Sequence, residues 1–195
     1  MNRTPLNQRI SYLLIMGISA KLLIDTTIQL FNPYLTMIAA GVGISVVSMG
    51  GLVALRGLMG LSAPAIGTIA DRVGYKKIMQ VSLFLSGSGM MLAGFSKNVI
   101  LFTTAMILTG IGQAGYSPNL LAYLSSKLPY EKRARGIGIV EYAWALAGIA
   151  GLFLAGYLIE EFSWRTPFIL FGALLIFAAF IYSTLPGNHT DKKNQ

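Results

Sequence analysis

The sequence predicts an all-α membrane protein built from six transmembrane helices. Hydrophobic residues make up 54% of the 195-residue chain and charged residues only 11%, whereas soluble domains carry about 25% charged residues. Six apolar stretches are each long enough to cross a bilayer core of about 30 Å, which takes about 20 residues of helix. Short polar connections join these stretches, and the basic residues collect in them. This combination is typical of a polytopic membrane protein.

The six spans are predicted near residues 10–38, 44–70, 77–96, 99–126, 136–159 and 164–185, between a polar segment 1–9 and a polar tail 186–195. The first span is long enough to tilt or bend. Pro33 gives it a reason to bend, because proline removes a backbone donor from a helix. Lys21 and Asp25 interrupt the apolar run of this span, so we expect an uncleaved helix rather than a signal peptide.

The distribution of Lys and Arg predicts the orientation. Lys97 and Arg165 alone fall on one side of the predicted bundle. The other side collects Arg3, Arg9, Arg72, Lys76, Lys77, Lys127, Lys132, Arg133, Arg135, Lys192 and Lys193. An excess of basic residues marks the cytoplasmic side, so both termini are expected in the cytoplasm and the protein in the cell membrane.

Composition excludes several classes of function. The chain has no cysteine, which rules out disulfides, thiolate metal sites and a cysteine nucleophile. The single histidine, His189, lies in the polar tail, so an intramembrane Ser–His dyad or histidine-rich metal centre has no residue to build it. A phosphate-binding G-x-x-x-x-G-K-[ST] loop is also absent. We therefore expect no enzyme, no metal and no cofactor. The formal charge of +8 is spread over the connections, which indicates a lipid bilayer rather than nucleic acid as partner.

The connection between the second and third spans, GTIADRVGYKK, is the most informative stretch. Gly67 is expected to let two helices approach closely, and Gly74 to take a positive φ without a Cβ penalty. The pattern resembles the loop between helices 2 and 3 of the major facilitator superfamily, whose signature reads roughly G-x-L-A-D-R-x-G-R-[RK]-[RK]. Ile69 replaces the leucine, and Tyr75 stands where the family usually has arginine. The matching residues are Gly67, Asp71, Arg72, Gly74, Lys76 and Lys77.

The resemblance covers nearly the whole chain, but only the N-terminal half of a twelve-helix family member. Residues 67–76 can be laid over residues 156–165, three helices later, as in the inverted three-plus-three repeat of such a half. The fourth span contains a glycine-rich stretch, 108–115, similar to that of the family. Met106 occupies the place of a family arginine, and Leu152 that of the proline in the antiporter Gly-Pro pair, so the roles of those residues are not carried over.

The resemblance also implies a role for Asp71. In the family this residue pairs with nearby basic groups and meets a helix end in the other half, which helps to hold one conformation. Candidate partners here are Arg72, Lys76 and the cluster Lys132, Arg133 and Arg135. The alternative is that Arg72, Lys76 and Lys77 only set the topology.

Four ionisable residues lie within predicted spans, namely Lys21, Asp25, Arg56 and Glu141. Charges in hydrocarbon are costly and mark functional candidates. Lys21 and Asp25 are four residues apart and can pair on one helix face. Two interpretations stay open: an ion network that includes Arg56 and locks the first span to the second, or groups that face a water-filled cavity and bind substrate or a proton. Two cations against one anion would favour an anionic substrate, unless Glu141 supplies a second negative charge.

Glu141 either reaches Arg135 or enters the cavity, where partial shielding from water would favour the protonated form that proton coupling requires. Polar residues on the first and fourth spans either complete a binding site or form hydrogen bonds between helices. These are Gln29, Asn32, Gln113, Tyr116 and Asn119. Ala147, Gly151 and Ala155, at four-residue spacing, are expected to permit close helix packing.

Two functional hypotheses follow. The first is a secondary active transporter, or half-transporter, that moves a small solute by alternating access and is coupled to an ion or proton gradient. It requires a second six-helix half, supplied by the same gene, by a second copy or by a separate chain. The alternative is a truncated or half-size membrane protein without independent transport, which acts as an assembly or interaction partner.

Overall fold

The computed structural model describes residues 5–185, with side chains from residue 11 onward. The first four residues and the predicted polar tail 186–195 lie outside the described residues. The orientation predicted from Arg3, Lys192 and Lys193 therefore rests on sequence alone, and so does the placement of His189. The structure describes the backbone of Arg9 but not its side chain.

Within the described range, six helices are long and apolar enough to cross a membrane, which confirms the predicted fold class. Helix α1 consists of Pro5–Gln29 and Phe31–Val42. Helix α2 runs through Val46–Leu58, a 3-10 turn at Met59–Ser62 and Ala63–Val73. Helices α3 and α4 span Tyr75–Phe95 and Val99–Lys127. Helix α5 comprises Tyr130–Leu146, a π-helical segment Ala147–Gly151 and Leu152–Glu161. Helix α6 is Thr166–Ile181, followed by a 3-10 turn at Tyr182–Thr184.

Helix α1 is interrupted where the sequence predicts a bend. Its two segments are separated at Leu30, and Tyr34 has non-helical angles of φ −108° and ψ 15°. Pro33 explains the interruption, because it lacks the N–H that would donate to the Gln29 carbonyl and its ring crowds that carbonyl. The helix nevertheless resumes and continues past the predicted end at residue 38, as far as Val42.

The turn between α2 and α3 is made by Gly74, whose φ of 95° confirms the predicted positive value. The close approach expected at Gly67 is not made to another helix of the described residues. A Cβ built on Gly67 meets nothing within 4 Å among the described atoms, because this glycine lies on an outer side of α2 that no other described helix covers.

Helix α3 lies between α4 and α6 and packs tightly on both. Glycines allow this approach: a Cβ on Gly87 would lie 2.7 Å from the Gly172 carbonyl oxygen of α6. Aromatic side chains pack beside it, with ring centroids 5.5 Å apart for Phe31 and Phe168 and 5.9 Å apart for Trp164 and Phe168. The core therefore joins α1, α3, α4 and α6.

Helices α2 and α5 are far less covered than the rest. Only 11% of the apolar window of α2 and 17% of that of α5 is buried, compared with 39% to 50% for the other four helices. Several glycines on α2 face empty space where a Cβ would sit, namely Gly50, Gly51, Gly57, Gly60 and Gly67. We call the exposed sides of α2 and α5 the open face.

The small residues of α5 pack on α1 as predicted. Ala147, Gly151 and Ala155 are all buried, and a Cβ on Gly151 would collide with the side chain of Thr26. This close contact lies at the π-helical segment, which sequence periodicity did not predict. It brings the polar side of α1 against one flank of α5.

Candidate functional site

Lys21 lies between two carboxylates. Its Nζ is 2.9 Å from Asp25 Oδ2 on the next turn of α1 and 3.6 Å from Glu141 Oε2 on α5. Lys21 is 5% exposed and Asp25 is 1% exposed, whereas the Glu141 side chain is 48% exposed. We call these three residues the ionic cluster. The Lys21–Asp25 pair is the predicted one, and Glu141 turns to Lys21 rather than to Arg135.

Helix α5 begins at Tyr130, before the predicted start of the fifth span near residue 136. At 1.5 Å per residue, Glu141 lies about 16 Å along the helix from its first residue. The added residues include Lys132, Arg133 and Arg135, so they extend the basic end of the helix and leave Glu141 about two turns beyond it. The ionic cluster joins α1 and α5 at this level.

The charge balance of the cluster is one ammonium against two carboxylates. The sequence count of two cations against one anion does not hold at this site, because Glu141 supplies the second negative charge and Arg56 lies elsewhere. With all three groups ionised, the cluster carries a net negative charge. Unbalanced charge is unfavourable in a membrane interior, so a proton or another cation would stabilise it.

Arg56 is the second buried cation, at 8% exposure. Its guanidinium donates from Nη1 to the Thr27 carbonyl at 3.2 Å and from Nη2 to the Ile28 carbonyl at 3.1 Å, and its Cζ lies 4.4 Å from the centroid of the Phe31 ring. These carbonyls belong to the last turn of the first α1 segment, where helical acceptors lose their partners and attract cations. Among the described residues no carboxylate pairs with Arg56 within 4.0 Å.

Helix α1 binds both sides of the π-helical segment of α5. Gln29 Nε2 donates to the Trp144 carbonyl at 2.9 Å, and the Tyr34 hydroxyl donates to the Leu152 carbonyl at 3.0 Å. The sequence analysis included Gln29 among the polar candidates but not Tyr34. The position of Tyr34 next to Pro33 could have indicated this contact, because side chains at a helix break can reach a neighbouring helix.

The remaining polar candidates fall into two groups. Asn32 is exposed and Gln113 is half-buried; Gln113 donates from Nε2 to Thr27 Oγ1 at 3.1 Å. Tyr116 is fully buried and shares a 2.6 Å hydrogen bond with the hydroxyl of Tyr182. Asn119 donates to the Gly115 carbonyl within its own helix. The last two side chains are thus part of the internal packing, away from the open face.

The connection between α2 and α3 forms a different set of contacts from those predicted. The hydroxyl of Tyr75 donates to Asp71 Oδ1 at 2.7 Å, so the tyrosine that departs from the signature supplies a donor to this carboxylate. Lys76 donates from Nζ to the carbonyls of Ser183 and Leu185 after α6. In the connection after α4, Arg133 donates from Nε to the Leu128 carbonyl at 3.1 Å.

Comparison with known proteins gives the family. The family model described as Major Facilitator Superfamily matches residues 18–195. The chain belongs to the major facilitator superfamily. This confirms the resemblance that the Gly67–Lys77 connection indicates, and the protein is a multi-pass membrane protein.

Relatives of this facilitator-family chain are named as transporters. It is 29% identical over 141 residues to the benzoate transport protein of Acinetobacter baylyi, covering 70% of the chain and 30% of that protein. It is 27% identical over 130 residues to the putative niacin/nicotinamide transporter NiaP of Bacillus subtilis, covering 66% of the chain and 32% of that protein.

The fold of this facilitator-family chain also resembles solved structures. A bacterial homolog of the human lysosomal transporter Spinster, in an inward-facing and unoccupied conformation, matches with a TM-score of 0.72 at 18% identity. The match covers 100% of the chain and 47% of that structure. The facilitator-family chain thus spans about a third of the length of these curated relatives and about half of this solved structure.

Proposed function

We propose that this chain is one six-helix half of a secondary active transporter that moves a small solute by alternating access. The observation that carries the proposal is the ionic cluster, in which a buried lysine joins a buried and a half-exposed carboxylate between α1 and α5. In transporters of this architecture, binding sites lie near the bilayer midplane where two repeats meet. The cluster supports the proposal because it lies between two helices and leaves one carboxylate half-exposed, as such a site needs.

The open face supports a second six-helix unit as partner. Its glycines have room for the close approach of another helix, and small residues are what helix packing in membranes uses at interfaces. The solved neighbour is about twice as long as this chain. The second unit would come from the same polypeptide, from a second copy or from a separate chain.

Proton coupling would use Glu141. Protonation of this half-exposed carboxylate would remove its attraction to Lys21 and leave Lys21 paired with Asp25 at 2.9 Å. The cluster would then be neutral. A proton therefore offsets the net negative charge, which is the property that a coupling site requires.

The orientation that we propose for the protein in the membrane follows from the positions of its basic residues. Arg72 lies in the last turn of α2 and Lys77 in the first turn of α3, and Arg133 and Arg135 lie in the first two turns of α5 at the same end of the bundle. Lys97 and Arg165 follow α3 and α5 at the other end. The positive-inside rule places the first end, and with it both termini, in the cytoplasm of a cell-membrane protein.

The test is uptake into liposomes by the protein together with its second unit, driven by an imposed pH gradient. A panel of labelled small solutes should contain at least one that accumulates, and Glu141→Gln should abolish the dependence on the gradient. The matched control is Glu160→Gln, an exposed carboxylate at the far end of α5. A folded complex without flux of any solute would contradict transport and support the alternative of a membrane assembly partner.

A further inference from the structure

The negative charge of the ionic cluster is not shared equally. Lys21 Nζ is closer to Asp25 than to Glu141, at 2.9 Å against 3.6 Å. Asp25 is buried, whereas the Glu141 side chain is 48% exposed. Because Lys21 mainly offsets the charge of Asp25, the unbalanced charge resides on Glu141, the carboxylate that a solute can reach.

An aromatic ring lies beside this carboxylate. Trp144 is 49% exposed and follows Glu141 by three residues, so the two side chains are neighbours on the helix surface. The same flank of α5 meets the polar side of α1, where Gln29 binds the Trp144 carbonyl and a Cβ on Gly148 would lie 2.9 Å from Gln29 Oε1. The Glu141 carboxylate and the Trp144 indole are thus both half-exposed on the same flank of α5.

The other flank of α5 has a different character. It forms an open apolar groove with α1, lined by Ile18, Ile139, Tyr142, Leu146 and Ile149 among others. On this part of α5 the carboxylate therefore lies on the flank that also carries Trp144, opposite the apolar groove. Arg56 does not present its donors to a solute on this flank, since this guanidinium is 8% exposed and donates to two carbonyls of α1.

We propose that Glu141 and Trp144 form a subsite for an organic cation, meaning an ammonium group attached to an apolar body. The carboxylate supplies the opposite charge, and the indole face attracts a cation through its quadrupole. The apolar body of the solute would lie along the uncharged remainder of the open face. This inference rests on the proposed transport function for its biological use, and it follows the alternative in which Glu141 supplies a second negative charge rather than the anionic preference.

Binding can be measured without transport. The chain has two tryptophans, so Trp164→Phe leaves Trp144 as its single tryptophan, which can be excited selectively at wavelengths that tyrosine does not absorb. The probes are benzyltrimethylammonium and benzoate, which share a benzene ring and differ in the sign of their charge. We expect saturable quenching of Trp144 by the cation and none by benzoate. Glu141→Gln should raise the Kd of the cation about tenfold, the effect of about 1.4 kcal/mol, while the control Glu160→Gln leaves it unchanged.

A second measurement covers the case in which Trp164→Phe does not fold, because Trp164 packs on Phe102 and Phe168. Calorimetric titration with the same probes on the protein with both tryptophans should show cation binding that Trp144→Leu weakens several-fold. Equal or tighter binding of benzoate, or a cation Kd that Glu141→Gln does not change, would overturn the subsite. Cation binding without any uptake would instead count against the proposed transport function alone.

Discussion

The hydroxyl of Tyr75 donates a 2.7 Å hydrogen bond to Oδ1 of Asp71, one helical turn earlier and across the turn at Gly74. Both residues belong to the signature connection, and Tyr75 stands where the family pattern usually has arginine. A neutral donor here orients the carboxylate without neutralising it. Asp71 is exposed, so its charge stays available to a second unit.

The first prediction concerns this hydrogen bond. Tyr75→Phe should lower the transport rate several-fold, because a hydrogen bond to a charged group contributes about 1.5–3 kcal/mol and the carboxylate would lose its orientation. Tyr75→Arg, the usual family residue, should retain activity. The matched control is Tyr12→Phe, which removes the exposed tyrosine hydrogen bond to Thr184. Full activity of Tyr75→Phe beside an impaired Asp71→Asn would contradict the role given to Tyr75.

Conformation can be followed in the same variants. The chain has no cysteine, so single cysteines at Val47 and Leu61, which are 86% and 80% exposed on α2, would be its only thiols. Tyr75→Phe should change the ratio of their labelling rates in the assembled protein, because Val47 lies at the start of α2 and Leu61 near its middle.

The second prediction concerns Arg56. Arg56→Met should lower the free energy of unfolding by about 2–4 kcal/mol, because two buried carbonyls of the α1 break lose their donor. Arg56→Lys should recover only part of this, since an ammonium cannot reproduce the two-pronged guanidinium geometry. The measurement is thermal unfolding in detergent, with the exposed Arg72→Met on the same helix as control. Equal melting temperatures for Arg56→Met and Arg72→Met would show that the hydrogen bonds from Arg56 to the α1 carbonyls do not stabilise the fold.

The third prediction separates the two carboxylates of the ionic cluster. Asp25→Asn should destabilise the protein by about 3–5 kcal/mol, because it leaves the buried Lys21 without its 2.9 Å partner. Glu141→Gln should cost much less, since this side chain is half-exposed and farther away. The double variant Lys21→Met with Asp25→Asn should recover stability. Thermal unfolding of the four proteins tests the ranking, and a larger loss for Glu141→Gln would refute it.

The fourth prediction compares two glycines. Gly151→Leu should destabilise the six-helix unit itself by at least about 2 kcal/mol, because its side chain would enter the volume of Thr26. Gly57→Leu should leave that stability unchanged, because empty space surrounds the glycine. It should instead weaken copurification with the second unit. Undisturbed pairing in Gly57→Leu would show that the open face is not the interface.

Much of the architecture was accessible from sequence because its causes are local. Apolar runs of bilayer length predict membrane helices, Pro33 predicts the interruption of α1, and Gly74 predicts a positive φ. The family, too, follows from a short contiguous motif. By contrast, close approach at Gly67 depends on a neighbouring helix, and no described atom lies within 4 Å of a Cβ built there, so the role expected of this glycine stays a prediction.

Only part of the candidate site could be predicted from the sequence. Spacing along one helix predicts the pair of Lys21 and Asp25, but Glu141 is 120 positions from Lys21, and no sequence pattern specifies which way its side chain turns. The π-helical segment of α5 also changes the direction of every side chain that follows it, since one residue corresponds to about 100° of helix rotation.

The sequence by itself determined the fold class, the six helices, the family and which charged residues lie within the predicted spans. Hydropathy and a contiguous motif are properties of one stretch of chain, so they can be interpreted without knowing which helices are neighbours. Only the tertiary structure decided how those charges are distributed. It placed Lys21 between two carboxylates, bound Arg56 to carbonyls at the end of the first α1 segment and left the Glu141 side chain half-exposed. The reason is physical: electrostatic balance depends on distances between helices, and those distances are set by packing.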